Sequence, residues 1–217
     1  GTFKDEAVER GVAYGTPMGF GTWLFDYDND GDLDIMASQF ANITNKFRGG
    51  FSRFPIEHFT KAIPDRGAFR PSALYRNDGK GVFTNVTKKA GITASSVMGA
   101  GFVDLDLDGF LDLFMTNVPE GHFALRGGCD GFVDLSTSTG TLSYQWGWGV
   151  VGTDFNQDMW PDLYVAHAGY QSYSNDNFLF VNNADWSFTE SSHVGDAWGG
   201  DFNSMPYWDC AAPRWAA

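Results

Sequence analysis

The sequence predicts an all-β fold, a β-propeller of four-stranded antiparallel blades, and three observations support this class. An acidic loop of one design begins at residues 26, 104 and 154, and a degenerate copy begins at residue 201. Short apolar runs rich in β-branched and aromatic residues flank these loops, which is typical of strands. The later copies recur after 50 residues (104 to 154) and 47 residues (154 to 201), and such a repeat built of strands is typical of propeller blades.

Each loop carries oxygen-bearing side chains at its positions 1, 3, 5 and 9. They are Asp26, Asp28, Asp30 and Asp34 in the first loop, Asp104, Asp106, Asp108 and Asp112 in the second, and Asp154, Asn156, Asp158 and Asp162 in the third. Groups this crowded repel one another unless a cation lies between them, and hard oxygen ligands on a flexible loop suit Ca²⁺. The sequence therefore predicts about three calcium ions per chain. The backbone carbonyl at position 7 is expected to add a ligand from Asp32, Phe110 and Trp160.

The loops share their D-x-D-x-D-G opening with the EF-hand, but they differ from it in two ways. An EF-hand loop ends in a bidentate Glu at position 12 and lies between helices. Here position 12 is Ala37, Met115 or Val165, and the flanking segments are predicted strands. We therefore expect each loop to join the first and second strands of a blade. A single acidic turn is often only solvated, but three copies of one pattern favour metal binding.

The glycine at loop position 6 predicts a sharp reversal with positive φ, which glycine adopts freely. Gly31 and Gly109 fit this requirement, but the third loop has Met159 there. That replacement is expected to cost about 1 kcal/mol of strain. Asn156 also replaces a carboxylate, so the third site is expected to be the weakest.

Each unit repeats a Gly-rich strand, an acidic loop, a second strand, and a hairpin made by the third and fourth strands. The predicted blades are residues 18–90, 97–139 and 146–192. Asn77-Asp78-Gly79 is a strong hairpin turn signal in the first of them. Residues 42–72 form an insertion rich in Phe, Arg, Pro and Gly, with a short helix expected at 56–62. Such a rim loop is either a binding surface or a packing element.

The whole chain, residues 1–217, is interpreted as one propeller segment with incomplete blades at both ends. Residues 1–10 are predicted to be the outer strand of a preceding blade. Residues 196–217 are predicted to be a partial blade, in which Met205 and Pro206 replace a ligand and the turn glycine. Propellers usually close with four to eight blades, so we expect a segment of a larger protein. The alternatives are that neighbouring subunits complete the ring, or that residues 1–8 pair with the last partial blade.

The combined pattern resembles the FG-GAP and VCBS repeats of integrin α-subunit propellers and of bacterial secreted proteins. It consists of Gly-x-Gly, then D-x-D-x-D-G-x-x-D-[LI], then L-[YF]-x-N-[DN]-G-x-G-x-F-T. The stretch ALYRNDGKGVFTNVTKKAG, from Ala73 to Gly91, is especially similar to the cartilage acidic protein-like (ASPIC/UnbV-type) group. The resemblance covers nearly all of the chain except residues 42–72 and the tail after residue 205. It implies that the side chains at loop positions 1, 3, 5 and 9 bind Ca²⁺.

Composition narrows the classes of partner. The net charge is −13 and no basic stripe exists, which argues against nucleic-acid binding. No apolar run is long enough to span a membrane. Calcium loops of modest affinity need millimolar Ca²⁺, so an extracellular, secreted or cell-surface location is expected. Asn42 and Asn85 begin glycosylation sequons, which matter only in a eukaryotic secretory route. A disulfide between Cys129 and Cys210 is left open.

Catalysis is not expected, because the chain has no recognisable catalytic motif and its histidines fall at unrelated blade positions. The predicted function is that of a calcium-binding extracellular interaction or adhesion module for a protein or glycan ligand, with a structural metal. The insertion at 42–72 is the candidate contact surface. One alternative is a subunit of a homo-oligomer or fibre completed by neighbouring chains. Another is the non-catalytic part of a polysaccharide-degrading enzyme.

Overall fold

The computed structural model describes residues 1–13, 19–39, 71–94, 96–117, 121–143, 146–168 and 177–191. Several predicted features lie outside this part of the chain. They are the insertion at 42–72 except for its last two residues, the helix at 56–62, the partial blade at 196–217, Asn42 and Cys210. These features stay predictions.

Twelve strands within the described residues form three four-stranded antiparallel sheets, and in each sheet the spatial order follows the chain. The first sheet contains β1 (Gly19–Phe25), β2 (Asp34–Gln39), β3 (Ala73–Asn77) and β4 (Phe83–Asn85). The second contains β5 (Val97–Val103), β6 (Asp112–Asn117), β7 (Phe123–Arg126) and β8 (Val133–Asp134). The third contains β9 (Trp146–Thr153), β10 (Asp162–Ala168), β11 (Phe178–Asn182) and β12 (Phe188–Glu190). The predicted all-β class is confirmed, with blade-like sheets of a propeller segment.

The same described residues contain no helix, and thus no helix that could cross a membrane.

The first strands of neighbouring sheets lie side by side, and glycines permit this close approach. A Cβ atom on Gly99 of β5 would lie 2.5 Å from the carbonyl oxygen of Trp148 in β9 and 3.1 Å from the Cα of Gly149. A bulge interrupts the β5–β6 register between Val97 and Gly99. There the Gly99 amide donates to the Oγ1 of Thr116 at 2.8 Å. A side chain at position 99 would therefore prevent the close approach of β5 and β9.

The core lies between the sheets, so the second sheet is covered on both faces. Successive side chains of β6 point to opposite faces, as in any strand. Leu113 and Met115 belong to the apolar cluster shared with the first sheet, whereas Phe114 belongs to the cluster shared with the third. Every residue of β6 is buried. This double burial explains why the run Leu-Phe-Met is apolar without alternation.

A repeated backbone contact joins each sheet to the turn that precedes it. The amide of the first residue in a fourth strand, or of the residue before that strand, donates to a turn carbonyl of the preceding unit. The pairs are Phe83 to Arg10 at 2.8 Å, Phe132 to Ala90 at 2.9 Å, and Phe188 to Thr139 at 2.8 Å. The residue after each turn carbonyl is a glycine with positive φ: Gly11, Gly91 and Gly140.

Residues 1–13 make the first of these contacts although they contain no strand. Arg10 adds two side-chain hydrogen bonds from its Nη1, to the carbonyls of Lys80 and Gly81, both at 3.2 Å. The segment therefore occupies the place that residues 86–91 take against the second sheet. Its interpretation as the outer strand of a preceding blade stays a prediction.

The interblade contact yields a first testable prediction. Gly91 has a φ of +76°, and a Cβ atom there would lie 2.5 Å from the Phe132 carbonyl oxygen. Gly91→Ala should therefore destabilise the chain by at least about 2 kcal/mol in urea denaturation. Gly128→Ala is the matched control, because its nearest neighbour would be the Gly131 oxygen at 3.8 Å. Equal stability of the two variants would contradict the assigned contact.

Candidate metal centres

The three acidic loops lie where the sequence predicts them, each between the first and second strands of its sheet. The first connects Phe25 to Asp34, and in it the side chain of Asn29 reaches the second loop. The Nδ2 of Asn29 donates to the carbonyl of Gly109 at 2.7 Å. The first two loops are therefore direct neighbours at one end of the stacked sheets.

The aspartate at position 1 shapes each loop by accepting two backbone amides. In the first loop, Asp26 Oδ1 accepts from Asp30 at 3.1 Å and its Oδ2 accepts from Gly31 at 2.9 Å. Asp104 and Asp154 accept from the equivalent amides of their own loops. The position-5 aspartates accept from the position-7 amides of Asp32, Phe110 and Trp160 at 2.8 to 3.0 Å. The role of the position-7 carbonyls as ligands stays a prediction.

The backbone at position 6 has the positive φ that the glycines indicate. Gly31 and Gly109 have φ values of +90° and +91°, and Met159 is held at +79°. The third loop thus adopts the same turn with a side chain that rarely tolerates it. A second loop position with positive φ was not predicted from the sequence. At position 4, Asn29, Leu107 and Gln157 have φ values of 57°, 59° and 64°.

The aspartate at position 9 is fully buried in every sheet and bridges three parts of it. In the second sheet, Asp112 Oδ2 accepts the amide of Leu105 in the loop at 2.6 Å, and its Oδ1 accepts the amide of Gly127 beyond β7 at 2.8 Å. Asp34 and Asp162 make the equivalent pairs of bonds. These three residues were predicted as metal ligands, and they are also structural acceptors that join loop, second strand and third strand.

The aspartate at position 3 offers an oxygen with no hydrogen-bond partner. The Oδ1 atoms of Asp28 and Asp106 are both buried and have no hydrogen-bond partner. Each of the two side chains is 13% exposed. Buried polar atoms are rarely left without a partner, and the binding of an ion is one of the few explanations for such atoms. A cation is therefore a chemically suitable partner for both oxygens.

The first two loops each gather three carboxylates, whereas the third does not within the described residues. One oxygen each from Asp26, Asp28 and Asp34 lies within 4.8 Å of the others, and the same holds for Asp104, Asp106 and Asp108. Asp30 and Asp112 lie outside these two groups. The residues of the first two loops thus fit a divalent cation.

The third loop departs from this arrangement at Asn156. The Asn156 amide is exposed and donates from its Nδ2 to Asp158 Oδ2 at 2.8 Å. An amide supplies one neutral oxygen where the other loops supply a carboxylate. The geometry therefore agrees with the expectation that this site is the weakest.

Burial raises the pKa of three loop aspartates. The pKa of Asp112 rises to about 7, chiefly because the carboxyl is desolvated, and the bonds from Gly127 and Leu105 only partly oppose this. The pKa of Asp28 is raised mainly by burial and then by the charge of Asp30. The pKa of Asp34 is also raised, again chiefly by burial. A bound cation would favour the charged form of each.

Arginines from the third strands approach the position-3 carboxylates, which the sequence did not reveal. Arg126 Nη2 lies 2.6 Å from Asp106 Oδ2 and 3.2 Å from Asp108 Oδ2. Arg76 lies 3.9 Å from Asp28 Oδ2. Neither arginine interacts with the unpaired Oδ1. The equivalent position in the third sheet is Val181, which carries no charge.

Two of the histidines, which fall at unrelated blade positions in the sequence, are in contact between the second and third sheets. The Nε2 atoms of His122 and His167 are 2.8 Å apart. Burial, followed by the charge of His167, lowers the pKa of His122 to about 3. The amide of Asn117 donates to His122 Nδ1 at 3.3 Å, so His122 carries its proton on Nε2 and donates it to His167.

Two other predicted features fall on described residues. Cys129 is an exposed free thiol, and its proposed partner Cys210 lies outside the described part of the chain. Asn85, the first residue of the second sequon, is exposed on β4.

The buried Asp112 allows a direct test of its structural role. Asp112→Ala leaves the amides of Leu105 and Gly127 without their acceptor. Because an orphaned buried amide costs about 1–3 kcal/mol, the variant should lose about 2–4 kcal/mol of unfolding free energy even in metal-free protein. Asp130→Ala, in an exposed turn, is the control. A metal-free Asp112→Ala protein as stable as the control would contradict the bridging role.

The raised pKa of Asp112 predicts a pH dependence with a definite sign. Its pKa is about 7 in the folded state, whereas the ordinary value for an aspartate is 3.8. The stabilising contribution of this group is thus full below about pH 4 and is lost as the pH rises through about 7. Metal-free parent protein should therefore lose melting temperature relative to Asp112→Asn between pH 5 and 8, about the range of this titration. Parallel melting curves across that range would contradict the raised pKa.

Residues 65–115 match a family model described as an FG-GAP-like repeat. The match includes the hairpin of the first sheet, β5 and the whole second acidic loop. No curated protein matches the chain. The predicted repeat type is thereby confirmed, while the narrower similarity to the cartilage acidic protein-like group stays a prediction.

Proposed function

We propose, on the premise that this chain carries an FG-GAP-like repeat, that it is a calcium-binding extracellular module that presents a protein- or glycan-binding surface. The role of the metal is structural. The observation that carries the proposal is the pair of buried, unpaired oxygens on Asp28 and Asp106, each within a group of three carboxylates. Ca²⁺ takes six to eight oxygen ligands on flexible loops, which suits this donor set.

A structural role for the metal is supported by the place of the loops in the fold. Each loop connects two strands and ends at the buried aspartate that also holds the third strand. A cation that neutralises the loop carboxylates would therefore stabilise the whole sheet. A ligand that binds only the folded state stabilises it by about 2.7 kcal/mol at a hundredfold excess over its Kd.

A binding role is preferred to catalysis for a chemical reason. The carboxylates at positions 1 and 9 already accept two backbone amides each, and those at position 5 accept one. These hydrogen bonds hold the carboxylates against the backbone of their own loops, so the groups are poorly placed to contact a substrate and exchange protons with it. We therefore propose a non-enzymatic function.

The long excursion between the second and third strands is the proposed contact surface. The chain leaves the first sheet at Gln39 and returns at Ser72, where the Gln39 amide donates to the Ser72 Oγ at 3.1 Å. Gln39 and Ser72 lie at the end of the antiparallel sheet opposite the acidic loop. A binding loop there would be held by the metal-stabilised scaffold without competing with the metal ligands.

An assembly role is the second candidate, favoured by an uncovered face of the first sheet. Phe25 in β1 packs against Phe102 of the second sheet, with ring centroids 4.2 Å apart. Leu24 points the opposite way and is 61% exposed. A further blade or a neighbouring chain would cover this face. A strict monomer in size measurement at millimolar Ca²⁺ would remove the version that needs a neighbouring chain.

The proposed function is tested by melting the protein with and without calcium, followed by metal counting. We expect a large loss of melting temperature on chelation and about three ions per chain, the third bound most weakly. Asp28→Ala and Asp106→Ala, which leave no oxygen ligand at position 3, should each remove about one ion, and Asp130→Ala should remove none. An unchanged melt with no bound ion would mean that the loops are ordinary acidic turns.

A further inference from the structure

The hairpin of the third sheet reaches into the acidic loop of the second. Trp186, between β11 and β12, donates its indole Nε1–H to Asp106 Oδ2 at 2.8 Å. Asn182, which ends β11, donates its Nδ2 to the carbonyl of Leu105 at 2.9 Å. Two side chains from one sheet thus hold two consecutive residues of the metal loop in the preceding sheet.

The indole bond determines which oxygen of Asp106 is left for a cation. Oδ2 is occupied by Trp186 at 2.8 Å and by Arg126 at 2.6 Å. Oδ1 is buried and has no partner. With both donors on one oxygen, the carboxylate cannot rotate without breaking these bonds, so Oδ1 remains the oxygen that is free to bind a cation held by Asp104, Asp106 and Asp108.

The backbone of Trp186 is held in a conformation that its side chain disfavours. Its φ is +65°, and Ala184 two residues earlier has the same value. In the first sheet the two equivalent turn positions are Gly79 and Gly81, at +79° and +72°. A bulky residue with positive φ is unusual, and such residues concentrate where a function requires them.

The first loop offers an internal comparison that lacks this contact. Gly127 and Asn182 donate equivalent backbone amides to the position-9 aspartates Asp112 and Asp162. Four residues later, the second sheet has Gly131 where the third has Trp186. Gly131 has no side chain to reach Asp28, whose carboxylate is approached instead by Arg76, 3.9 Å from Oδ2, and by the side chain of the adjacent Tyr27.

We infer that Trp186 is a positioning residue for the divalent cation of the second loop, which makes this site better organised than the first and ties its occupancy to the third sheet. The inference rests on the proposed calcium binding. Groups that orient a metal ligand commonly change metal affinity by about 10- to 100-fold when they are removed.

The test compares Trp186→Phe with Trp23→Phe by calorimetric Ca²⁺ titration of the full chain. Both variants carry Asp28→Ala to silence the first site. Trp23 packs against Phe102 across the other interface, with ring centroids 6.2 Å apart, so the control makes the same chemical change away from the second loop. Trp186→Phe should weaken the tightest remaining site about tenfold, and Trp23→Phe should leave it unchanged. Equal affinities in the two variants would overturn the inference.

A second readout uses metal-free protein and does not require a substitution at Trp186. In ¹⁵N-tryptophan-labelled chain, the Trp186 indole N–H should exchange slowly with solvent, and Asp106→Asn should speed its exchange. Rapid exchange in the parent protein would overturn the inference. A parent protein that binds no Ca²⁺ would overturn the proposed function together with the positioning role. A parent that binds Ca²⁺ with an unaltered Trp186→Phe titration would overturn the positioning role alone.

Discussion

Each sheet depends on one buried carboxylate, the aspartate at the end of its acidic loop. Asp34, Asp112 and Asp162 are fully buried, and each joins the loop to the third strand through two backbone amides. Burying a carboxylate is unfavourable, as the raised pKa values of Asp34 and Asp112 show. The carboxylates at loop positions 1, 3 and 5 lie near this buried group and add repulsion to the cost of its burial. A divalent cation would offset both the burial and the crowding, which is why the proposed metal is structural.

The metal loops and the stack of sheets form one connected system. β6 is buried on both faces, so the second sheet would expose apolar side chains to water if either neighbouring sheet were removed. The Asn29 side chain connects the first loop to the second, and Trp186 and Asn182 connect the second loop to the third sheet. Disturbing one loop should therefore loosen the interface with the next sheet. Nearest-neighbour coupling of this kind is general in repeat proteins.

Much of this architecture could be predicted because its signals are local. Short apolar runs rich in β-branched and aromatic residues, the D-x-D-x-D-G loops and the Asn77-Asp78-Gly79 turn specify strands and connections over a few residues. Positive φ at position 6 follows from glycine, but Leu107 at position 4 has the same property without any residue signal. The contacts that complete the site join residues far apart in sequence, such as Trp186 and Asp106, or His122 and His167. These depend on how the sheets stack, which no local pattern encodes. The position-9 aspartates were predicted as ligands only, because their bonds to the third strand are likewise long-range.

The central claim is most directly tested by a crystal structure grown with millimolar Ca²⁺ and a calcium anomalous difference map. If Ca²⁺ occupies these loops, the map should show a peak in contact with Asp28 Oδ1 and another in contact with Asp106 Oδ1, the two buried oxygens without a hydrogen-bond partner. The bonds of Asp34 and Asp112 to the third strands should be unchanged. Ordered waters in both places with no anomalous signal, or an arginine side chain in place of the ion, would contradict the claim.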